Sequence, residues 1–394
     1  MSDTRIVLKS GKDQSLRRRH PWVFSGAIKK IYGQPDTGGL VKVYDNKDEL
    51  LGTGHYQEGS IAIRVLTFGD VPLEENFLQE RIGRAWQHRI QEQLYQPGYN
   101  DVFRLVNAEG DGLPGLIIDY YRGTAVMQMH SVGMYRNVDQ IVDALKGLEG
   151  LPIDTIFNKS KNTLHETRGL VPSDELIFGD RTEGEVLEYG NRFRVNWERG
   201  QKTGFFVDQR ENRRLVAHYS AGRNVLNMFC FSGGFSVYAL RGDASLVHSI
   251  DSSGHAIDLT RENVEINEGY SGAHEAITQD GFEYLEKMQQ EYDLIILDPP
   301  AFAKHQRVLN NALQGYKRLN QRAFAAIRPG GVVFTFSCSQ AVSKESFRKS
   351  VFAAAANTGR SVKVLHQLVQ PADHPVSIYH PEGEYLKGLV LKVE

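Results

Sequence analysis

The chain has 394 residues and a net charge of −2, with 41% hydrophobic and 24% charged residues. That length allows about two or three domains, and no stretch reaches the apolar length of a membrane span. Residues 1–5 lack the apolar core of a signal peptide, and two cysteines, Cys230 and Cys338, exclude a disulfide framework. These features favour a soluble protein of the reducing cytoplasm, and no Cys and His cluster has the spacing of a zinc site.

Positive charge is concentrated at the N-terminus. Residues 1–30 contain eight Lys or Arg and two acidic residues, a balance of +6, whereas the remainder has a balance of −8. Phosphate binding needs local rather than global positive charge, so a basic end on an acidic body is compatible with an RNA partner. A charge run is more often a solvated face, and both interpretations stay open on the sequence.

An all-β domain is predicted over residues 1–73, because short apolar runs alternate there with Gly, Asp and Asn clusters. Its predicted strands are 6–8, 39–44 and 61–66. Arg17, Arg18 and Arg19 stand close to Trp22, and guanidinium groups hold phosphates while aromatic rings stack on bases. The segment is therefore a candidate RNA-binding surface; the alternative is that its aromatic rings are core and only the arginines are exposed.

A small α+β module is predicted over residues 74–195. Its helices and strands are expected, in chain order, at 78–94, 115–120, 125–129 and 137–148. Two further strand-like runs, 186–189 and 192–195, flank Gly190-Asn191 and predict a β-hairpin.

Strand–helix alternation over residues 196–394 predicts a Rossmann-like α/β domain, with a parallel sheet covered by helices on both faces. Seven strands are predicted, at 224–228, 246–250, 275–277, 292–297, 332–336, 362–365 and 388–393. In such sheets, ligands bind at the carboxyl ends of the strands.

The first four of these strands lead to residues that suit a nucleotide-like cofactor. Gly233 and Gly234 follow the first strand and let backbone approach a ligand closely at a helix start. Asp251 ends the second strand, where a carboxylate can accept from ribose hydroxyls, and Asp280 follows the third, within reach of an adenine edge. The G-x-G-x-x-G spacing of dinucleotide sites is absent, and the combination with Asp298 after the fourth strand fits S-adenosylmethionine.

The fourth strand runs into the element Asp298-Pro299-Pro300-Ala301-Phe302. Its prolines end the hydrogen-bond ladder and make a rigid turn, because proline has no N–H and a fixed φ. The element resembles the acid-Pro-Pro-aromatic turn of methyltransferases that act on nucleic-acid bases, where it faces the methyl donor and the base. Taken alone, it is equally compatible with a proline-rich exit loop.

The fifth strand delivers Ser337-Cys338-Ser339 to the same edge of the sheet. Carbon 5 of cytosine is a poor nucleophile, but addition of a thiolate at carbon 6 gives carbon 5 the carbanion character needed to attack a methyl sulfonium. At a thiol pKa of ~8.5, a few per cent of a cysteine is thiolate at pH 7. We therefore interpret Cys338 as a nucleophile rather than as a small buried hydrophobe, and Cys230, between two phenylalanines, as a packing residue.

Together, the motifs resemble the large-subunit ribosomal RNA cytosine-5 methyltransferases that carry an N-terminal PUA domain. The resemblance covers essentially the whole chain, and the segments that carry it are 16–24, 104–115, 202–210, 227–235, 298–302 and 337–339. It implies an RNA-binding PUA barrel over 1–73, the family's central module over 74–195, and a methyltransferase domain over 196–394 with its last strand antiparallel. It also implies methylation of cytosine carbon 5 in 23S rRNA, as naked RNA or in a ribosomal particle.

For the site, the resemblance implies that Cys338 is the nucleophile and that 202–210 closes over the methionine end of the cofactor, with Gln209 the contact there. The cofactor would be lined by Phe229, Ser232, Gly233, Asp251, Asp280 and Asp298. The Pro-Pro turn lacks the second cysteine that many RNA cytosine-5 methyltransferases carry. The base that removes the carbon-5 proton is therefore unassigned, with Asp298 or a bound water as candidates.

Two other functions stay open on the sequence. Methylation of an exocyclic base amine also suits the Asp298 element and needs no thiol. A non-catalytic RNA-binding assembly factor could use the fold as a scaffold, although intact cofactor positions argue against it. The target nucleotide and the oligomeric state, a homodimer included, are likewise open.

Overall fold

The computed structural model describes residues 4–164, 170–289, 291–303 and 306–394. Contacts divide the chain into two compact units. The first comprises residues 1–186, 195–205 and 372–383, and the second comprises 187–194, 206–371 and 384–394. Within the described residues, no helix has both the length and the apolar character needed to cross a membrane.

The first unit begins with a six-stranded sheet. Its elements are β1 (Arg5–Leu8), α1 (Gln14–Arg17), β2 (Trp22–Phe24), β3 (Ile28–Tyr32), β4 (Leu40–Tyr44), β5 (Leu50–Tyr56) and β6 (Ile61–Phe68). The strand order is β2-β6-β5-β4-β1-β3; β1 and β4 run parallel, and the other pairs are antiparallel. The prediction of a β domain is confirmed, and Ile6, Val43 and Ile63 are fully buried in its core.

A five-stranded mixed sheet follows in the same unit. Its elements are α2 (Phe77–Gln91), β7 (Val102–Asn107), β8 (Leu116–Tyr121), β9 (Thr124–Met129), α3 (Val132–Arg136), α4 (Val138–Lys146), β10 (Thr155–Lys159) and β11 (Asp174–Phe178). The order is β11-β10-β9-β8-β7, and β9 and β10 are parallel. The apolar faces of α2 and α4, which include Ile82, Trp86 and Ile141, share one core cluster with Phe103 and Ile118 of the sheet.

Strands β12 (Glu183–Glu188) and β13 (Asn191–Asn196) form the predicted hairpin. Its turn residues are Tyr189 and Gly190, at φ 50° and 78°, rather than the predicted Gly190-Asn191. Two successive positive φ angles are those of a type I′ turn, whose twist matches that of the flanking strands. Asn191 instead begins β13, and its side-chain Nδ2 donates to the carbonyl of Glu188 at 3.1 Å.

The second unit is built on a seven-stranded sheet. Its elements are α5 (Arg210–His218), β14 (Asn224–Met228), α6 (Gly234–Arg241), β15 (Leu246–Asp251), α7 (Gly254–Glu265), β16 (Ala273–Thr278), α8 (Gly281–Lys287), β17 (Leu294–Leu297), α9 (Leu309–Ala326), β18 (Gly331–Ser337), α10 (Lys344–Thr358), β19 (Val362–Leu368) and β20 (Lys387–Val393). The order is β16-β15-β14-β17-β18-β20-β19, and β20 is antiparallel to both neighbours. All seven predicted strands and the reversed last strand are confirmed.

The central strands of this sheet are buried on both faces, which explains why they read as unbroken apolar runs. In β17, Ile295 and Leu297 pack in a cluster with side chains of α9 and α10. The alternate residues Leu294 and Ile296 pack with side chains of α5 and α6. The fold therefore leaves the carboxyl ends of the strands as the place where polar side chains gather.

Candidate active site

The carboxyl ends of β14 and β17 define the candidate site. The two strands are neighbours at the centre of the sheet, and the chain proceeds from them in opposite directions, from β14 to β15 and from β17 to β18. Ligands bind in the crevice at such a topological switch point. Because β14 to β18 are all parallel, the predicted site residues that follow these strands lie along one edge of the sheet.

The loop between β14 and α6 contains three residues with a left-handed backbone. Phe229, Phe231 and Gly233 have φ of 60°, 48° and 73°. This conformation costs a non-glycine residue about 1–2 kcal/mol, and such strain collects at ligand sites. Gly233 is required for a second reason, because a Cβ there would lie 2.8 Å from Cγ2 of Thr260. The loop at the predicted cofactor residues is therefore tightly specified.

Asp251 holds this loop through its carboxylate. Its Oδ2 accepts a hydrogen bond from the backbone N–H of Phe231 at 3.1 Å, and its Oδ1 accepts from the N–H of Ser253 at 2.9 Å. A carboxylate has about four acceptor sites, so both oxygens can still accept from ligand hydroxyls. The side chain predicted to bind ribose thus also links the ends of β14 and β15.

Asp280 is the N-cap of α8. Its Oδ1 accepts from the backbone N–H groups of Phe282 at 2.9 Å and Glu283 at 3.0 Å. Capping accounts for an aspartate here without any ligand, so adenine recognition by Asp280 stays a prediction. Ser232 is 4% exposed, and its carbonyl accepts from Nδ2 of Asn263 at 2.8 Å.

Asp298 is half-buried after β17 and is contacted by a relay of two amides. Nε2 of Gln209 donates to Oδ2 of Asp298 at 3.0 Å, and Nδ2 of Asn212 donates to Oε1 of Gln209 at 2.6 Å. Both amide residues are buried, and the bond from Asn212 determines which end of the Gln209 amide faces the carboxylate. Gln209, predicted as a cofactor contact, therefore orients Asp298, and Asn212 is a site residue that the sequence does not single out.

Hydrogen bonds join the turn after β18 to the Pro-Pro turn. Oγ of Ser339 accepts from the backbone N–H of Ala303 at 3.2 Å and lies 3.2 Å from the hydroxyl of Tyr316. Ser337 donates to the same tyrosine oxygen at 2.9 Å. Cys338, between the two serines, is half-buried and follows the strand adjacent to β17. The candidate nucleophile is thus tethered to the turn that carries the candidate acid.

Lys387 contacts the same turn from β20. It pairs with Ser337 across the antiparallel ladder, and its Nζ donates to the carbonyl oxygens of Ser339 at 2.6 Å and Val342 at 2.8 Å. The residue is 6% exposed, and burial lowers the pKa of Lys387 to about 8. Local sequence does not mark it, because its two acceptors precede it by 48 and 45 residues.

Cys230 has a different environment. It is 6% exposed, packs with Ile257 and Ala276, and has its Sγ 3.4 Å from Oγ1 of Thr260. Burial raises the pKa of the Cys230 thiol to about 12, so its thiolate is suppressed. This environment fits the interpretation of Cys230 as a packing residue.

The three predicted RNA-binding arginines, which lie in the first unit, differ in their partners. Arg17 pairs with three carboxylates, those of Asp13, Asp45 and Glu49, at 2.6–2.7 Å. Arg18 and Arg19 are exposed. A phosphate would have to compete with the carboxylates for Arg17, so the other two arginines are the better candidates.

Trp22 is half-buried and lies beside a His–Glu cluster in the first unit. Its Nε1 donates to Oε1 of Glu109 at 2.7 Å, and ligand atoms of His20, His380 and Glu382 come within 4.8 Å of one another. Nδ1 of His20 lies 3.1 Å from the backbone nitrogen of Trp22 and 3.3 Å from its carbonyl oxygen, and Nε2 lies 3.2 Å from Glu382. Hydrogen bonds among these groups account for the cluster.

The sheet edge fits S-adenosylmethionine by the chemistry of its groups. The carboxylates of Asp251, Asp280 and Asp298 lie at or just after the ends of three strands of one sheet and can accept from hydroxyl and amine groups. The glycine turn at Gly233 brings bare backbone to the start of α6. Such a set suits a ligand that carries a ribose, an adenine and an amino acid.

Comparison with known proteins defines the class. Residues 119–385 match the family of S-adenosylmethionine-dependent methyltransferases, and residues 6–68 match the PUA-like domains. The chain therefore belongs to the S-adenosylmethionine-dependent methyltransferases, and the predicted cofactor is confirmed.

Relatives match the chain along nearly all of its length. It is 40% identical over 396 residues to the ribosomal RNA large subunit methyltransferase I of Pseudoalteromonas atlantica, with 99% of each chain covered. It is 37% identical over 394 residues to the protein of that name from Alteromonas mediterranea, with 98% of each covered.

Solved structures share the fold. One, described as "a putative sam-dependent methyltransferase from Streptococcus mutans", has a TM-score of 0.83 at 21% identity, over 99% of this chain and 100% of its own. Another, a "putative methyltransferase complexed with SAH", has a TM-score of 0.84 at 22% identity with the same coverage.

Proposed function

We propose that this enzyme methylates carbon 5 of a cytosine in 23S ribosomal RNA, in the cytoplasm, with Cys338 as a covalent nucleophile. The relatives named ribosomal RNA large subunit methyltransferase I support the RNA substrate, as does the PUA-like match at the basic N-terminus. Domain boundaries at residues 73 and 195 belong to the same proposal, with RNA binding in the first domain and chemistry in the last.

The observation that carries the proposal is the placement of Cys338. Its thiol is half-buried at the carboxyl end of β18, and the adjacent strand β17 ends at Asp298. Free cysteines are usually buried and inert, as Cys230 is. A partly accessible thiol beside the methyl-donor edge instead suits covalent catalysis on a base.

In the proposed reaction, the Cys338 thiolate adds to carbon 6 of the cytosine, and the electron pair displaced onto carbon 5 attacks the methyl group. When bound, S-adenosylmethionine would supply that methyl group as an electrophile: its S–CH3 bond would break as the bond to carbon 5 forms, with S-adenosylhomocysteine as the leaving group. Asp298, or a water that it holds, then takes the proton from carbon 5, and the C–S bond breaks to restore the thiolate. We assign the cofactor contacts to Phe229, Ser232, Gly233, Asp251, Asp280 and Asp298, with Gln209 orienting Asp298.

RNA that carries 5-fluorocytosine tests the thiolate step, because fluorine cannot leave as a proton after methyl transfer. Wild type and Cys230→Ser should form a protein–RNA adduct that survives denaturation, whereas Cys338→Ala should form none. Cys338→Ala should still bind S-adenosylmethionine, which calorimetry measures and which shows that the variant is folded. Steady methylation by folded Cys338→Ala would exclude the thiolate mechanism and favour methylation of an exocyclic amine.

RNA affinity should depend on Arg18 and Arg19. Each cation that contacts a phosphate contributes about one unit to the slope of log affinity against log salt concentration, so Arg18→Ala/Arg19→Ala should flatten that slope by about two units. Filter binding of a 23S rRNA fragment at several salt concentrations measures it.

The matched control for this measurement is Arg17→Ala. Because Arg17 is occupied by carboxylates, its removal should leave the salt slope in place. A slope that also falls by about one unit would instead mean that all three arginines contact phosphates. An unchanged slope in the double variant would move the RNA-binding surface elsewhere.

A further inference from the structure

Lys387 is a buried cation to which the reaction above gives no role. It is 6% exposed, whereas a lysine is almost never fully buried without a partner. Both hydrogen bonds of its Nζ that the structure describes go to backbone carbonyls, those of Ser339 and Val342. Burying an ammonium against neutral acceptors is costly, and packing alone would be served by an apolar side chain.

The hydrogen bonds of Lys387 fix the turn that carries the nucleophile. Ser337, before Cys338, is held in the ladder opposite Lys387 itself. Ser339, after Cys338, has its carbonyl on the Lys387 ammonium and its hydroxyl on the N–H of Ala303. The backbone is therefore fixed on both sides of the thiol.

The same ammonium is bonded to the carbonyl of Ser339, the residue after Cys338, and interacts electrostatically with the thiol. An ionised Cys338 acts to raise the pKa of Lys387, against the larger effect of burial, which lowers it to about 8. The interaction of two charges is mutual, so the ammonium favours the thiolate as much as the thiolate favours the ammonium. At pH 7, about one unit below that pKa, Lys387 is still largely protonated.

The other titratable groups at this turn do not replace that charge. Lys344, at the start of α10, and Glu384, before β20, act on Lys387 in opposite directions and pair with each other at 2.7 Å. Tyr316, on α9, has its pKa raised by burial and is therefore neutral at pH 7.

We propose that Lys387 is a positioning residue for the nucleophile: its ammonium holds the Ser337-Cys338-Ser339 turn and favours the thiolate over the thiol. The inference rests on the proposed function in taking Cys338 as the reacting group. It adds to that function a residue that determines the pH range in which the Cys338 thiol is reactive.

The test is the pH dependence of Cys338 alkylation by iodoacetamide, in a Cys230→Ser background. Lys387→Met keeps most of the length of the side chain but removes the charge and the donor. We expect its alkylation midpoint to rise by about one pH unit, with alkylation at pH 7 and methylation both about tenfold slower. Lys344→Met, which removes a nearby exposed charge, should leave the midpoint in place.

An unchanged midpoint in a Lys387→Met protein that binds S-adenosylmethionine would overturn the proposal, because a purely structural lysine would not move it. If Lys387→Met does not fold, the alkylation midpoint of Cys338 with Lys387 intact is the test. A midpoint below the ~8.5 of an ordinary cysteine supports the proposal, and a midpoint at or above ~8.5 contradicts the proposal. Alkylation requires neither RNA nor methyl transfer. The role of Lys387 and the thiolate mechanism can therefore fail separately.

Discussion

The two cysteines follow parallel strands of the same sheet, yet their turns are built differently. Cys230, after β14, is enclosed by apolar neighbours, and burial raises its pKa to about 12. Cys338, after β18, is half-buried in a turn held by a lysine and two serines. Both positions are where α/β enzymes place catalytic groups. A position at the edge of the sheet is therefore not sufficient to make a cysteine reactive. The neighbours of the thiol decide how readily it ionises.

The loop that contains Cys230 is nevertheless part of the candidate site, through residues other than Cys230. Its residues Phe229, Phe231 and Gly233 take left-handed conformations, and Asp251 fixes one of their N–H groups. In the proposed reaction, that loop presents backbone to the cofactor, whereas the turn of Cys338 presents a side chain to the base. The proposal therefore assigns the methyl donor and the activation of the methyl acceptor to two different turns at one edge of the sheet.

The largest expected difference between the two turns is in thiol reactivity. At pH 8, a pKa of about 12 leaves about 10³-fold less thiolate than an ordinary cysteine has, so iodoacetamide should modify native Cys338 and spare Cys230. Peptide mass spectrometry after timed alkylation measures both sites, and in urea the two should react alike. Equal labelling of Cys230 and Cys338 in the native protein would contradict the expected difference in thiol reactivity.

The same shift in Cys230 has a consequence for stability. Because its folded pKa lies above the unfolded value, the folded state keeps this proton after the unfolded state has lost it. The contribution of the Cys230 thiol to the free energy of unfolding is fully present below the ordinary thiol pKa and is lost as pH rises toward 12. Cys230→Ser should show a smaller loss of stability over that pH range in urea unfolding curves.

Asp251→Ala should affect the cofactor side alone. Loss of hydrogen bonds from a charged acceptor, each worth ~1.5–3 kcal/mol, should weaken S-adenosylmethionine binding about 10- to 150-fold. Alkylation of Cys338 should be unchanged, because Asp251 contacts the β14 loop and not the β18 turn. Calorimetric titration of the folded variant with S-adenosylmethionine measures this effect. An unchanged dissociation constant would remove Asp251 from the site.

The smallest effect is expected for Asn212→Ala. Without Asn212, the Gln209 amide can turn its oxygen toward Asp298, so one hydrogen bond to the carboxylate is weakened. The bond that the substitution removes is the neutral one from Asn212 to Gln209, worth about 0.5–1.5 kcal/mol, which corresponds to about 2- to 10-fold in the methylation rate. Single-turnover methylation at saturating S-adenosylmethionine measures it, and Asn212→Asp, which would repel Asp298 through its charge, should be slower still.

Much of the fold can be predicted from the sequence, because buried parallel strands and flanking helices leave strong periodic signals. The prediction is weaker in the first unit, where it lacks several strands, among them β5, β7, β10 and β11. Strand β5 contains Gly52 and Gly54, and glycine is depleted in strands. The structure requires glycine there, since a Cβ at Gly52 would lie 2.5 Å from the carbonyl oxygen of Thr67. Close approach of strands is a tertiary property that local propensity does not contain.

The site is predictable only in part, for a related reason. Asp251 ends a strand, Asp298 and Cys338 each follow one, and all three stand in recognisable motifs. Lys387 contacts residues that are distant in the sequence, and Asn212 acts by orienting another side chain. Neither residue leaves a local pattern in the sequence. Motifs therefore locate the groups proposed to react, while the groups that orient them become visible only in three dimensions.

The insertion of β20 between β18 and β19 bears on when the site forms during folding. Ser337 and Lys387 meet only after the chain between them has closed, and contacts of large sequence separation form more slowly than local ones. If Lys387 favours the thiolate, a chain whose sheet still lacks β20 carries an ordinary cysteine at position 338. Nucleophilic reactivity would then be confined to molecules that have completed the sheet, and unfinished chains would be less prone to form unwanted adducts.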